Sequence, residues 1–397
     1  MGPAVGPRRT RTDHSAMKPL SLALIRQRYA EDGGAERFVA RLLQAMQGTE
    51  IRVTLVTRAW GGQASFDVLT VNPFYIGRTW RDWSFARAVR RLAAGAFDIV
   101  QSHERIAGCD VYRAGDGVHR EWLRQRARVL GPFGRLRQRI SPYHLYTRRA
   151  ERRLFQSPKL RAVVCNSNMV KEDVKRNFGV PDERIHVIRT GVDTNDYHPN
   201  LKRYRLEVRT RLHIHDDSVV FLFVGSGFER KGLAAALDGL AEVPDAHLIV
   251  IGRDRRLEKF RRQAGRLGLI DRVHFERVQP DVRPYYGAAD ALVLPTLYDP
   301  FPNVILEAMA SGLPVITSTK CGGAELIQDG VNGFVRDALD RPGLAAALDA
   351  LHRPERRAAM SRAARASVES LNFSTMTEKL IALYRRLSSA QAIRSRE

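Results

Sequence analysis

Short apolar, β-branched runs recur along the first half of the chain with helical stretches between them: LSLALI (20–25), IRVTLVT (51–57), FDIVQSH (97–103), AVVCNS (162–167) and IHVIRTG (185–191). Alternation of this kind predicts βα units and a parallel sheet. After about residue 195 the pattern starts again, with VVFLFVG (219–225), HLIVIG (247–252), VHFERV (273–278), ALVLPT (291–296) and PVITST (314–319). The expectation is an α/β protein of two doubly wound, Rossmann-like parallel sheets, one over residues 18–191 and one over 206–375. The stretch VDTNDYHPNLKRYR (192–205) is polar, contains a proline and predicts a linker. Two such sheets facing each other hold a ligand in the cleft between the carboxyl ends of their strands. The last segment, 376–397, has helical spacing and fits against either domain; the pattern does not choose.

Three strand exits carry candidate chemistry. LSLALI runs into RQRYAEDGGAERFVARLL, so Gly33 and Gly34 fall where a helix begins, a place where backbone N–H groups can receive an anion. VVFLFVG continues as SGFERKG, which follows Gly225 with Gly227 and then the adjacent cations Arg230 and Lys231. Such a pair can hold a diphosphate and stabilise the charge it gains as a leaving group. ALVLPT exits through YDPFP into the helix NVILEAMASG, whose start is marked by Pro302 and Asn303. Asp299 then lies in the loop mouth and Glu307 about one turn inside the helix. Ionised carboxylates accept hydrogen bonds from sugar hydroxyls. Taken singly, each stretch also reads as a plain loop, a solvated charge cluster or a solvated helix face.

Composition narrows the class. The 397 residues, 44% hydrophobic and 27% charged, suit a folded soluble protein of two domains. Residues 1–17 carry Gly, Pro and Arg without an apolar block and are expected to form a disordered basic leader rather than a signal or anchor. Cys109, Cys165 and Cys321 form no CxxC pair, which argues against a disulfide framework or structural zinc and fits a reducing cytoplasm. A formal charge of +22 attracts polyanions, whether nucleic acid, acidic lipid or phosphorylated sugar. Much of it sits between Val118 and Arg153, where eleven arginines face two glutamates and Trp122, Val129, Leu130, Phe133, Leu136 and Ile140 are interleaved. This predicts a surface lying on anionic lipid, with Arg120, Trp122, Arg124, Arg126 and Arg128 as its contacts; a solvated helical face is the alternative.

GGAER, GSGFERKG, the D-x7-E of Asp299 and Glu307, and CGGAELIQDGVNGF together resemble the retaining glycosyltransferases of family 4, which have the two-domain GT-B fold. The order and spacing of the four blocks match over nearly the whole chain. By this resemblance Arg230 and Lys231 hold a diphosphate above Gly33 and Gly34, with Gly225 in the same loop. The main chain of Phe301, Pro302, Asn303 and Val304 contacts donor sugar and phosphate, Asp299 the sugar and Glu307 the ribose. The family pattern has Glu where this chain has Asp299, one methylene shorter. The central SHERIAGCDVYRAGDGVHREWL looks like the lipopolysaccharide core glucosyltransferases. It carries over Asp116 as an acid beside the transferred sugar, and His103 as a histidine that is either catalytic or structural.

The resemblance implies a metal-independent enzyme with no cofactor. It would move a hexose from a nucleotide diphosphate sugar, UDP-glucose being favoured, to a lipid-linked saccharide on the inner face of the cytoplasmic membrane. Without a DxD at a strand end no metal is called for. An epimerase of the same fold would need no acceptor surface. A nucleic-acid-binding protein would account for the charge but not for the sugar-phosphate loops, and no nucleic-acid motif is present. A nicotinamide dehydrogenase lacks its GxGxxG after the first strand.

Overall fold

The computed structural model describes residues 19–27, 42, 46, 49–60, 66–92 and 95–394. The basic leader and the Gly33-Gly34 pair lie outside the described residues. All strand pairing is parallel and falls into two sheets. The first comprises β1 (Leu20–Ile25), β2 (Ile51–Thr57), β3 (Asp67–Thr70), β4 (Ile99–Ser102), β5 (Val111–Arg113), β6 (Ala162–Cys165) and β7 (Ile185–Val187), in the order 3-2-1-4-5-6-7. The second comprises β8 (Val219–Val224), β9 (Ala246–Ile251), β10 (Val273–Phe275), β11 (Ala291–Leu294), β12 (Val315–Ser318) and β13 (Gly333–Arg336), in the order 10-9-8-11-12-13.

Period-two alternation distributes each strand between two cores. Leu22 and Leu24 point to one face of the first sheet, Ala23 and Ile25 to the other, and both faces are covered. The cover on the Leu22 face includes the last helix, Phe373–Arg394, whose Met376, Leu380, Leu383, Tyr384 and Leu387 are buried against β1 and β2. The chain therefore returns to its first domain after completing the second. Residues 192–205, expected as a linker, contribute Val192, Tyr197 and Leu201 to the second core. The two crossings touch: Val192 N–H donates to the Leu371 carbonyl at 2.8 Å. A Cβ on Gly191 would strike the Asn372 backbone.

Candidate functional site

Each sheet reverses its strand order beside its first strand, between β1 and β4 and between β8 and β11. Loops leaving the carboxyl ends on either side of such a reversal diverge and open a crevice. In the second domain these loops hold Gly225–Lys231 and Pro295–Asp299. Gly232 (φ 82°) makes their approach possible, because a Cβ there would collide with the Pro295 carbonyl. The Arg230 carbonyl then accepts from Leu297 N–H at 2.9 Å and from the Thr296 hydroxyl at 2.7 Å.

That stitching presents both cations to Asp299. Lys231 Nζ donates to Asp299 Oδ2 at 2.7 Å and the Arg230 guanidinium lies 3.9 Å from the same oxygen. Asp299 is also fixed through its main chain, its N–H donating to Lys320 and its carbonyl accepting from Gly322. Burial pushes its carboxyl up, but the charges of Lys231 and Arg230 outweigh this and hold it below the usual carboxylate range. The acid expected in an open loop mouth is thus buried and orients Lys231. Phe301 and Pro302 are buried, Asn303 and Val304 half-buried, at the head of the helix Asn303–Ala310, whose N-cap residue, Pro302, provides no side-chain cap. Its positive pole faces the loop. One turn in, buried Glu307 accepts from the Tyr286 hydroxyl at 2.8 Å.

In the first domain the exits of β1 and β4 bring Arg26, Gln27, His103 and Glu104 together. His103 is buried and meets Gln101 Nε2 through its own Nε2 at 3.1 Å, while Gln101 Oε1 accepts from Tyr384 of the last helix at 2.7 Å. Burial, then Arg113 and Arg26, hold the imidazole well below its ordinary range, so it is neutral at physiological pH. Glu104 accepts from Gln27 N–H at 2.9 Å, and burial pushes its carboxyl up against the pull of Arg26. Arg26, Glu104, Arg105 and Asp116 line a cavity of about 250 Å³, which His103 does not line. Asp116 is half exposed, 4.0 Å from Arg105. Arg105 is held by buried Glu151 at 3.1 Å and by the Gly117 carbonyl at 3.2 Å.

The two halves meet at Gly117. Its φ of 66° and the collision that a Cβ would have with Tyr298 and Pro300 leave room only for glycine. Val118 N–H donates to the Tyr298 hydroxyl at 3.0 Å, which donates in turn to Asp173 at 3.0 Å; the Ser167 hydroxyl donates to the Pro300 carbonyl at 2.8 Å. The turn carrying Asp116 therefore lies directly against the loop carrying Asp299. Sequence reasoning missed Glu104, Arg105, Tyr286 and Tyr298. Glu104 and Arg105 follow His103 in the same strand exit, a position that could have drawn attention, and Tyr298 precedes Asp299. Tyr286 had no local signal.

The expected lipid contacts need correction. Arg126 pairs with Glu229 at 2.8 Å, and Arg128 makes a two-pronged pair with Asp337 at 2.8 and 3.0 Å. Both partners belong to the second domain, because the helix His119–Ala127 runs along the interface. Arg124 folds onto Glu121 of its own helix. Trp122 is half-buried, and Arg120 is exposed with no such tie among the described residues. The next helix, Pro132–Ile140, buries nothing and exposes Phe133 (78%), Leu136 (55%) and Ile140 (61%). Among the described residues, no three His, Cys, Asp or Glu are grouped to hold a metal ion, and no helix is long and apolar enough to cross a membrane.

Two family models divide the chain at the same place as the sheets: Glycosyltransferase Family 4 over residues 32–196 and Glycosyl transferases group 1 over 205–367. Lipopolysaccharide glucosyltransferase WaaG of Escherichia coli K12 is 28% identical over 317 residues, covering 78% of this chain and 83% of that one. Lipopolysaccharide core biosynthesis glycosyltransferase LpsE of Rhizobium meliloti is 27% identical over 327 residues, covering 81% and 86%. The crystal structure of WaaG, a glycosyltransferase involved in lipopolysaccharide biosynthesis, superposes with a TM-score of 0.79 at 26% identity, over 91% of this chain and 99% of that one. With both halves matched in order and the fold shared end to end, the chain belongs to the family 4 glycosyltransferases of the GT-B fold and is homologous to lipopolysaccharide core glucosyltransferases.

Proposed function

We propose that the protein transfers a hexose, with glucose favoured, from a uridine diphosphate sugar to a lipid-linked saccharide with retention at the anomeric carbon. The observation that carries this reading is the junction at Gly117, which sets Asp116 of the first domain against the loop of Asp299, Lys231 and Arg230 in the second. A donor whose diphosphate lies on the two cations and at the head of the helix Asn303–Ala310 has its sugar at that junction. The cations take up the negative charge as the bond from anomeric carbon to phosphate oxygen breaks. The departing oxygen is then available to accept the proton of the attacking acceptor hydroxyl, on the face it leaves, so no protein nucleophile is needed. Glu307 holds the ribose, and Tyr286 keeps its carboxylate in place.

The helix Pro132–Ile140 supports a peripheral site on the inner face of the cytoplasmic membrane. Phe133, Leu136 and Ile140 share one face at helical spacing, and Arg135, Arg137 and Arg139 flank them, the pattern of a helix lying in a lipid interface. The test is a panel of nucleotide sugars assayed for slow hydrolysis without acceptor, in chelator. Turnover of UDP-glucose with release of the α-anomer is expected. Turnover only with another sugar nucleotide, release of the β-anomer, or loss of activity in chelator would each overturn the corresponding part.

A further inference from the structure

A second groove opens on the first domain, outside the cleft just described. The helices Gly77–Leu92 and Pro142–Phe155 face each other across a space of about 460 Å³, a volume typical of small-molecule sites. Ala86, Ala107 and Ala150 line it with small apolar side chains, together with Trp83 and Leu145. Arg90, Arg149 and Arg153 surround it, the last two one helical turn apart on one face. Among the described residues none of these three arginines has a carboxylate partner. Elsewhere in the interface segment arginines are matched, as Arg126 is by Glu229 and Arg128 by Asp337.

The groove and the cleft-side cavity share walls: Ala86, Arg105, Tyr146 and Ala150 line both. Arg105 is the partition, reaching towards Asp116 on one side and facing the groove on the other. The groove also begins at Pro142, two residues after the exposed apolar helix ends. It therefore adjoins the cleft-side cavity and includes the first residue of the helix that follows Pro132–Ile140.

We propose that this groove binds a phosphorylated sugar of the acceptor, one residue or more removed from the hydroxyl that is glycosylated. The inference rests on the reading of the protein as a transferase acting on a lipid-linked saccharide. The indole of Trp83 is 46% exposed with the Arg87 guanidinium over its ring at 5.9 Å, and an indole is an apolar surface for the C–H side of a pyranose. The three guanidinium groups supply charge-assisted, fork-like donors suited to a phosphate. A phospholipid headgroup carries the same anion but no ring to occupy the space beside Trp83 and the alanines.

The experiment is calorimetry on the full-length protein with hexose 6-phosphate, unphosphorylated hexose and inorganic phosphate. These are followed by acceptor kinetics with phosphorylated and dephosphorylated saccharides. Hexose 6-phosphate is expected to bind at least about tenfold more tightly than either fragment, with about tenfold loss in the Arg149→Gln, Arg153→Gln double variant. Trp83→Ala should weaken hexose phosphate and leave inorganic phosphate as it was. A control pair with the same charge loss, Arg262→Gln with Arg266→Gln in the second domain, should retain the affinity. Equal binding of phosphorylated and plain hexose would overturn the proposal, as would equal loss in the control pair. Loss of vesicle binding with unchanged hexose phosphate affinity in the Arg149, Arg153 variant would assign those arginines to the lipid surface instead. The binding arm needs neither donor nor membrane. A protein that binds hexose phosphate but transfers no sugar to a lipid-linked acceptor would refute the functional reading, while equal KM for both forms of acceptor would refute only the groove.

Discussion

The Lys231 loop of the second domain and the outer groove of the first treat positive charge in opposite ways. In the second, Lys231 is buried and bound to a buried carboxylate, and the loops on either side are tied through main-chain hydrogen bonds. In the first, Arg90, Arg149 and Arg153 stand around an apolar groove with no carboxylate partner among the described residues. A buried pair has its desolvation cost met during folding, so the ammonium is already aimed when a ligand arrives. Exposed unpaired cations stay solvated and mobile, and act on whatever anion is brought to them. On the function proposed above, the loop of the second domain would hold one small group in one position, and the groove of the first would meet an anion brought from outside.

The strongest way to break this contrast is to remove the aimed cations. Lys231→Ala or Arg230→Ala should lower turnover by about two to three orders of magnitude, as for loss of a donor directed at developing charge. The two should differ in stability. Lys231→Ala leaves Asp299 buried without its close partner and should cost about 3 kcal/mol in denaturant unfolding, whereas Arg230, 40% exposed, should cost far less. Equal stability of the two variants would remove the distinction between the buried, tightly paired cation and its more exposed neighbour. Glu307→Gln should weaken free nucleotide diphosphate by roughly 1.5 to 3 kcal/mol in calorimetry, the scale of a hydrogen bond to a charged group.

On the first-domain side, replacing Phe133, Leu136 and Ile140 by Ser should abolish sedimentation with anionic vesicles. Binding by the unaltered protein should weaken with salt, since each cation near such a surface contributes about 1 kcal/mol. Vesicle binding that survives the triple change would relocate the lipid surface. Arg128→Gln should have the smallest effect, about 0.2 to 1 kcal/mol, because its pair with Asp337 is half exposed; small-angle scattering would then show a wider cleft. The pH dependence sharpens the same contrast. The unfolded chain protonates His103 near its ordinary pKa while the folded site refuses the proton, so this residue lowers stability as pH falls below about 6.5. It should contribute no limb to the rate between pH 6 and 8. A limb that disappears in His103→Gln would show that the imidazole titrates during turnover.

Long apolar β-branched runs made both sheets readable from the sequence. β3, β5 and β13, with the sequences DVLT, VYR and GFVR, are too short to show an alternation of their own. The loops around Gly225, Arg230 and Asp299 were readable because glycines and charges directly after a strand have few other uses. What those charges bind to was not. Lys231 and Asp299 are 68 residues apart, and Arg128 finds its partner 209 residues away, so local spacing could not separate an arginine that joins domains from one that meets lipid. Interleaved Phe, Leu and Arg marked residues 118–153 as amphipathic but did not single out Pro132–Ile140 as the helix that buries nothing. The groove beside it requires two helices to be brought face to face, and no window along the chain contains both.

The return of the last helix to the first domain has a consequence for how the protein is made. Domains ordinarily complete themselves in the order in which they leave the ribosome. Here the Leu22 and Leu24 face of the first sheet waits for Met376, Leu380 and Tyr384, which are synthesised after the whole second domain. The second domain can bury its core while that sheet face still lacks the part of its cover that Met376, Leu380, Leu383, Tyr384 and Leu387 supply. The nascent chain is therefore most vulnerable to chaperone capture and aggregation at its earlier half, and a ribosome that stops short of residue 373 releases a finished second domain joined to an unfinished first.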